Sequence, residues 1–210
     1  MAIDVTNGSK PAMVDIRAAL AERCLTEIDV LMLTDIKRGH TGAVRSLLQC
    51  RVVHRILLPI PSDEYESFLL EDIRQAAKEY GAEAILYSHY SENTVTFGDV
   101  KLTVPRRTFV ERSLSPVTAL GIEAGSTKIT YAGASSWEDD YMWSFTHDAD
   151  CLILGENGPT VKMPPSGNIP DGVKHLCVTG EERVGFLSDW LWGYSGTLSC
   201  TTVHRINVEG

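Results

Sequence analysis

Residues 28–42 read Ile-Asp-Val-Leu-Met-Leu-Thr-Asp-Ile-Lys-Arg-Gly-His-Thr-Gly, a strand from Ile28 to Leu33, apolar apart from Asp29, that opens into a polar loop containing Asp35, Lys37, Gly39 and His40. A strand made of consecutive apolar residues is buried on both faces, which points to a sheet covered by crossover helices. The neighbouring segments repeat that pattern. Upstream, Ala2 to Val5 reads as a short strand, and Ala12 to Cys24 as a helix with Met13, Ile16, Leu20 and Cys24 at helical spacing. Downstream, Val44, Leu47 and Leu48 mark a short helix, and Val52 to Leu58 a strand closed by Pro59 and Pro61. Tyr65 to Tyr80 follows as a helix expected to turn Phe68, Leu69, Ile73, Ala76, Ala77 and Tyr80 inward, with Gly81 as its stop. Ala84 to Tyr87 is the next strand.

The texture then changes to short β-type segments: Thr94 to Phe97, Val100 to Val104, Val117 to Glu123 and Lys128 to Tyr131, the last two joined by Ala-Gly-Ser. They read as an antiparallel meander. Cys151 to Leu154 is another all-apolar strand, followed by a loop rich in Pro and Gly from Gly155 to Gly172. A strand at Val173 to Thr179 and a final pair around Thr197 to Val208 complete the chain. No internal repeat or low-complexity linker divides it, so residues 1–210 read as one domain of mixed α/β type.

The bulk composition narrows the function classes. The 210 residues are 43% hydrophobic and 22% charged, ordinary for a globular protein, and the formal net charge is -9. That balance works against an extended grip on a phosphate backbone and leaves Lys37-Arg38, Arg51 with Arg55, and Arg106-Arg107 as local basic groups only. Strong nucleic-acid binding is not expected. No apolar run is long enough to span a bilayer, and Met1 to Lys10 lacks the pattern of a signal peptide, so a soluble chain is expected. The five cysteines, at 24, 50, 151, 177 and 200, form no Cys-x-x-Cys pair and argue against a disulfide framework or thiolate zinc site. Cys24, Cys151 and Cys177 sit among apolar residues and read as small core side chains.

Three motifs in order carry a resemblance: the strand and loop at 28–42, Lys-Ile-Thr-Tyr-Ala-Gly-Ala at 128–134, and Asp-Cys-Leu-Ile-Leu-Gly-Glu-Asn-Gly at 150–158. They resemble the signatures of the metallo-β-lactamase-like domain of the competence protein ComEC family, which takes part in DNA uptake. The resemblance spans nearly the whole chain. It implies an αββα sandwich of mixed sheets, with Ala2 to Val5 matching a strand usually preceded by two others, so that the first strands are missing and a sheet edge is exposed. In that family the first loop reads Thr-His-x-His-x-Asp-His-x-Gly, the second motif ends Gly-Asp, and the third ends Gly-His-His-Gly. Laid on this chain, the loop's ligand positions fall on Asp35, Lys37, Gly39 and His40, the second on Ala134, and the third on Glu156 and Asn157.

Hydrolysis at such a centre needs imidazole and carboxylate ligands that hold one or two cations and lower the pKa of a bound water. Here only His40 survives, Ala134 removes the carboxylate that would bridge two metals, and Lys37 brings a positive charge to a ligand position. The resemblance therefore implies no catalytic residue, no resident metal, and a scaffold or interaction module, as a domain of a larger protein beside the membrane channel of a competence system or self-associating through its exposed edge. Lys37 would pair with Asp35 or Glu156 in place of the cation. The alternative is a residual hydrolase, a phosphodiesterase or nuclease, with one Mg²⁺, Mn²⁺ or Zn²⁺ held by Asp35, His40 and Glu156.

Other residues read as structural. Histidines 54, 89, 147, 175 and 204 are scattered. Ser195 in Gly-Tyr-Ser-Gly lacks the nucleophile-elbow pattern, and Trp190 with Trp192 reads as packing on a sheet edge. Glu138-Asp139-Asp140 reads as a solvated helix start.

Overall fold

The computed structural model describes residues 1–3, 5, 10–36, 41–88, 93–104, 119–132, 148–154, 173–180 and 202–207. The chain divides into two compact units, Met1–Ser88 and His89–Gly210, each built on one sheet.

In the first unit, β1 (Ala2–Ile3), β2 (Glu27–Met32), β3 (Val52–Pro59) and β4 (Glu83–Tyr87) lie side by side in that order, every pair parallel. The crossovers carry α1 (Lys10–Glu22), α2 (Val44–Cys50) and α3 (Glu64–Tyr80). Both central strands are exposed at their amino ends, at Glu27 and Val52, and buried on both faces toward their carboxyl ends. Leu31, Leu33, Ile56 and Leu58 there pack with Val44 and Leu47 of α2 and with Leu70, Ile73 and Ala77 of α3.

Helix α3 is delimited by its own ends. Asp63 accepts the Glu66 amide at 2.7 Å, while the Glu66 carboxylate accepts the Ser62 amide at 2.8 Å and the Ser62 hydroxyl at 2.6 Å, a close relative of the capping box. Gly81, at φ 78°, ends the helix in the left-handed conformation. The inward face matches the expected one at Ile73, Ala76 and Ala77 and differs at two positions. Phe68 is 72% exposed, because it stands five positions before Ile73 and so about 140° round a helix turning about 100° per residue. Tyr80 is also exposed, meeting Gln49 at 3.2 Å through its hydroxyl. Cys24 is exposed as well, since α1 stops at Glu22 and Cys24 lies in the turn beyond at φ 52°.

The second unit contains a seven-stranded sheet ordered β11-β10-β9-β8-β7-β6-β5. Strands β5 (Asn93–Phe97), β6 (Val100–Val104), β7 (Ala119–Ala124) and β8 (Thr127–Ala132) form the expected antiparallel meander. Gly125 supplies the positive φ of the last hairpin. Strands β9 (Cys151–Leu154), β10 (His175–Gly180) and β11 (Thr202–Asn207) then add in parallel to β8. The mixed character expected of both sheets thus belongs to the second, while the described strands of the first are all parallel. Leu102, Leu120 and Leu152 are fully buried within this sheet. Among the described residues no helix is long and apolar enough to cross a membrane. The expected partner strand near Thr197, and the segments with Ser195, Trp190, Trp192 and Glu138 to Asp140, lie outside the described residues.

Candidate functional site

Ligands of open parallel sheets bind beyond the carboxyl ends of the strands, which is where the first motif falls. After β2 the chain continues through Leu33, Thr34, Asp35 and Ile36, all at most 2% exposed. Asp35 is a buried carboxylate with an interaction partner, as are the buried hydroxyl residues Thr34 and Thr41. Lys37, Gly39 and His40 lie outside the described residues.

The backbone leading into this loop is fixed by a contact that sequence reading missed. The Leu33 amide donates to the Leu57 carbonyl at 3.0 Å, extending the β2–β3 ladder by one rung. In a parallel ladder the next donor in line, to the Leu33 carbonyl, is the backbone nitrogen of residue 59. That residue is proline and has no N–H. The Tyr87 hydroxyl, reaching across from β4, donates to the Leu33 carbonyl at 2.6 Å instead. Tyr87 is itself 4% exposed, and its carbonyl accepts the Ile60 amide at 3.1 Å. Three strand ends are thereby held together directly before Asp35. The signal in the sequence was Pro59: a proline ending a buried strand leaves the neighbouring carbonyl in need of a donor.

The other two motifs belong to the second unit. Ala132 and Leu154 are register partners on the parallel strands β8 and β9, so both strands end at one edge. Ala134 and Glu156 each stand two positions beyond that pair in the chain, with Asn157 next, and all three lie outside the described residues.

Asp150, the first residue of the third motif, sits at the opposite end of β9 and has a structural role. Its carboxylate accepts the Lys128 amide at 2.9 Å and the Lys174 ammonium at 2.7 Å. Its carbonyl accepts the amides of Lys174 at 2.9 Å and His175 at 3.0 Å, and its own amide donates to the Lys128 carbonyl at 2.8 Å. One residue therefore fastens the amino end of β9 to β8 on one side and to β10 on the other. The Lys174 ammonium, and after it the Lys128 N–H, hold the carboxyl below the usual aspartate range.

The remaining candidates separate in the same way. His54 lies on the surface with Nε2 3.2 Å from Glu27, Arg55 pairs with Glu83 at 3.3 Å, and His175 is exposed. His89, His147 and the pair Arg106-Arg107 lie outside the described residues. Among the described residues, no three His, Cys, Asp or Glu side chains are grouped to hold a metal ion. Of the positions that the resemblance marks, Gly39 and Ala134 have no side-chain donor and Lys37 carries an ammonium group.

No protein-family model and no curated protein matches the sequence. Solved structures do. Zinc-bound PqqB from Methylobacterium extorquens is 13% identical, with a TM-score of 0.53 over 83% of this chain and 68% of its own. A variant of the CmlA β-hydroxylase is 15% identical, with a TM-score of 0.62 over 87% of this chain and 44% of its own. CmlA, a diiron β-hydroxylase from Streptomyces venezuelae, is 14% identical, with a TM-score of 0.52 over 73% of this chain and 35% of its own. The chain thus spans less than half the length of the CmlA chains it matches. Identities this low carry the fold and nothing finer. PqqB and CmlA are metallo-β-lactamase-fold proteins, and the two sheets described above belong to a fold of that metallo-β-lactamase-like type.

Proposed function

We propose that this chain is a metallo-β-lactamase-like domain of the competence ComEC type that has lost its metal centre and serves as a non-catalytic scaffold or interaction module in DNA uptake. The observation that carries the reading is the contrast between framework and ligands. Strands β2, β8 and β9 run into the three motif positions, yet the residues offered there are Asp35, Lys37, Gly39, His40, Ala134, Glu156 and Asn157. Hydrolytic metal sites depend closely on ligand count and geometry, and one histidine with two carboxylates is a poor remnant of such a set. The Lys37 ammonium takes over the charge of the lost cation by pairing with Asp35 or Glu156. The domain sits beside a membrane channel for single-stranded DNA, or pairs with a second copy through an exposed edge of its first sheet.

Elemental analysis of protein purified without chelator tests this: no zinc, manganese or iron is expected, and a stoichiometric amount of any of them overturns the reading. Sedimentation at rising concentration tests the edge, where a strictly monomeric profile removes self-association.

A second reading is favoured by one feature, the retention of Asp35 as a buried carboxylate at the end of β2. With His40 and Glu156 it would hold a single Mg²⁺ or Mn²⁺ in a residual phosphodiesterase. PqqB is a zinc-bound protein and CmlA a diiron enzyme, so sites of more than one metal occur on related folds. Cleavage of single-stranded DNA in added Mn²⁺ that disappears in His40→Ala would establish this reading over the scaffold.

A further inference from the structure

The parallel register of β9 and β10 brings two thiols together. Cys151 is paired with His175, and Cys177, two residues further along β10, is paired with Ile153. Register partners on neighbouring strands share a face, and so do residues two apart on one strand, so Cys151 and Cys177 are diagonal neighbours on the same face. Their Sγ atoms are 4.0 Å apart, close enough for one thiol to donate to the other. Both side chains are part-buried, and neither is in a disulfide. The other cysteines with described positions are different in kind: Cys24 is exposed in a turn, and the Cys50 thiol donates to the Leu47 carbonyl at 3.4 Å.

We propose that Cys151 and Cys177 form a reversible redox pair, closing to a cross-strand disulfide when a small-molecule disulfide such as oxidised glutathione is present. The Cys177 thiolate attacks one glutathione sulfur, forming a mixed disulfide and releasing one glutathione thiol. The Cys151 thiolate then attacks the Cys177 sulfur and releases the second. The protein loses two protons and two electrons, and the glutathione disulfide gains both. Burial, and after it the neighbouring Cys177 and Asp150, push the Cys151 thiol up to about 11, so in the reduced pair Cys151 is not the group that attacks first at neutral pH. Closing the bond draws the two sulfurs from 4.0 Å to about 2.0 Å, and the link stays open to reversal by thiol–disulfide exchange with a reductant.

The consequence reaches the motif strand. The chain between the two cysteines carries Glu156 and Asn157, so the bond encloses both positions in a covalent ring. This holds whether or not the domain binds metal.

The test uses the full chain, fully reduced and then incubated natively with oxidised glutathione, followed by intact mass and non-reducing peptide mapping. A mass lower by two hydrogen atoms, a Cys151–Cys177 linked peptide and full reversal by dithiothreitol are expected, unchanged in Cys24→Ser and Cys50→Ser. Glutathione adducts without an internal link, or a link appearing only after unfolding in urea, would overturn the proposal. Cys177→Ser should show neither the loss of mass nor an internal link, and if that variant folds poorly the wild-type peptide map alone decides.

Discussion

The two units each contain three adjacent parallel strands, β2-β3-β4 and β8-β9-β10, and they are secured at opposite ends by opposite means. In the first, the carboxyl end is held by burial and by the neutral bond from Tyr87 to the Leu33 carbonyl. In the second, the amino end is held by the carboxylate of Asp150 between Lys128 and Lys174. Two aspartates of the quoted motifs illustrate the difference. Asp35 lies past the end of its strand, where parallel sheets place ligand chemistry, whereas Asp150 lies before the start of its strand and works on the backbone. Motif membership alone does not distinguish them; position relative to strand direction does.

If apolar burial fixes the first unit's strand ends, cutting into it should give the largest effect. Leu58→Ala removes a fully buried side chain near the end of β3 and should cost about 3 kcal/mol in urea unfolding. A loss under about 1 kcal/mol would show that the site collapses around the gap and that burial is not what fixes this edge.

Tyr87→Phe is the sharper probe, because it keeps the ring and removes only the donor. With Pro59 unable to replace it, a buried carbonyl is left unpaired, and a cost of about 2 kcal/mol is expected. A neutral result would mean that another donor reaches Leu33. Next in size is Gly81→Ala, where the left-handed cap at φ 78° makes any Cβ costly by about 1 kcal/mol even though nothing crowds the position. Gly81→Asn should recover part of that loss, since asparagine tolerates the left-handed region better than alanine.

These elements were not equally legible in the sequence. Buried strands announce themselves as largely apolar runs, so β2, β3 and β9 are placed to within a residue or two, and alternation places β6 equally well. Helix α3 is placed too, and Ile73, Ala76 and Ala77 face inward as expected, but Phe68 does not, because with Tyr65 it forms a second apolar stripe at helical spacing and only packing shows which stripe is buried. Cys24 looked apolar by its neighbours but falls beyond the last turn of α1. The Tyr87 bond was out of reach for a different reason: it depends on three strands and on the hydrogen that Pro59 lacks. The job of Asp150 depends on partners 22 and 24 residues away. Motif matching proposes the site positions through their glycines and strands, while the interactions at the strand ends beside Asp35 and at Asp150 are set by tertiary pairing.

The smallest expected effect tests the second unit's side of the comparison. A carboxyl held below its ordinary range in the folded chain contributes stability that is present above its unfolded pKa and is lost as the pH falls through the folded value. Stability of the wild type should therefore decline on acidification below the usual aspartate range, and Asp150→Asn should flatten that part of the profile. The asparagine retains an acceptor for the Lys128 amide but loses the charge that attracts Lys174, so its deficit near neutral pH should be modest and should shrink as salt is added. Tyr87→Phe, which removes a neutral buried bond, should show a deficit insensitive to salt. Equal salt responses from the two variants would mean that the strand ends are not secured by different forces, and the contrast between the two units would fail.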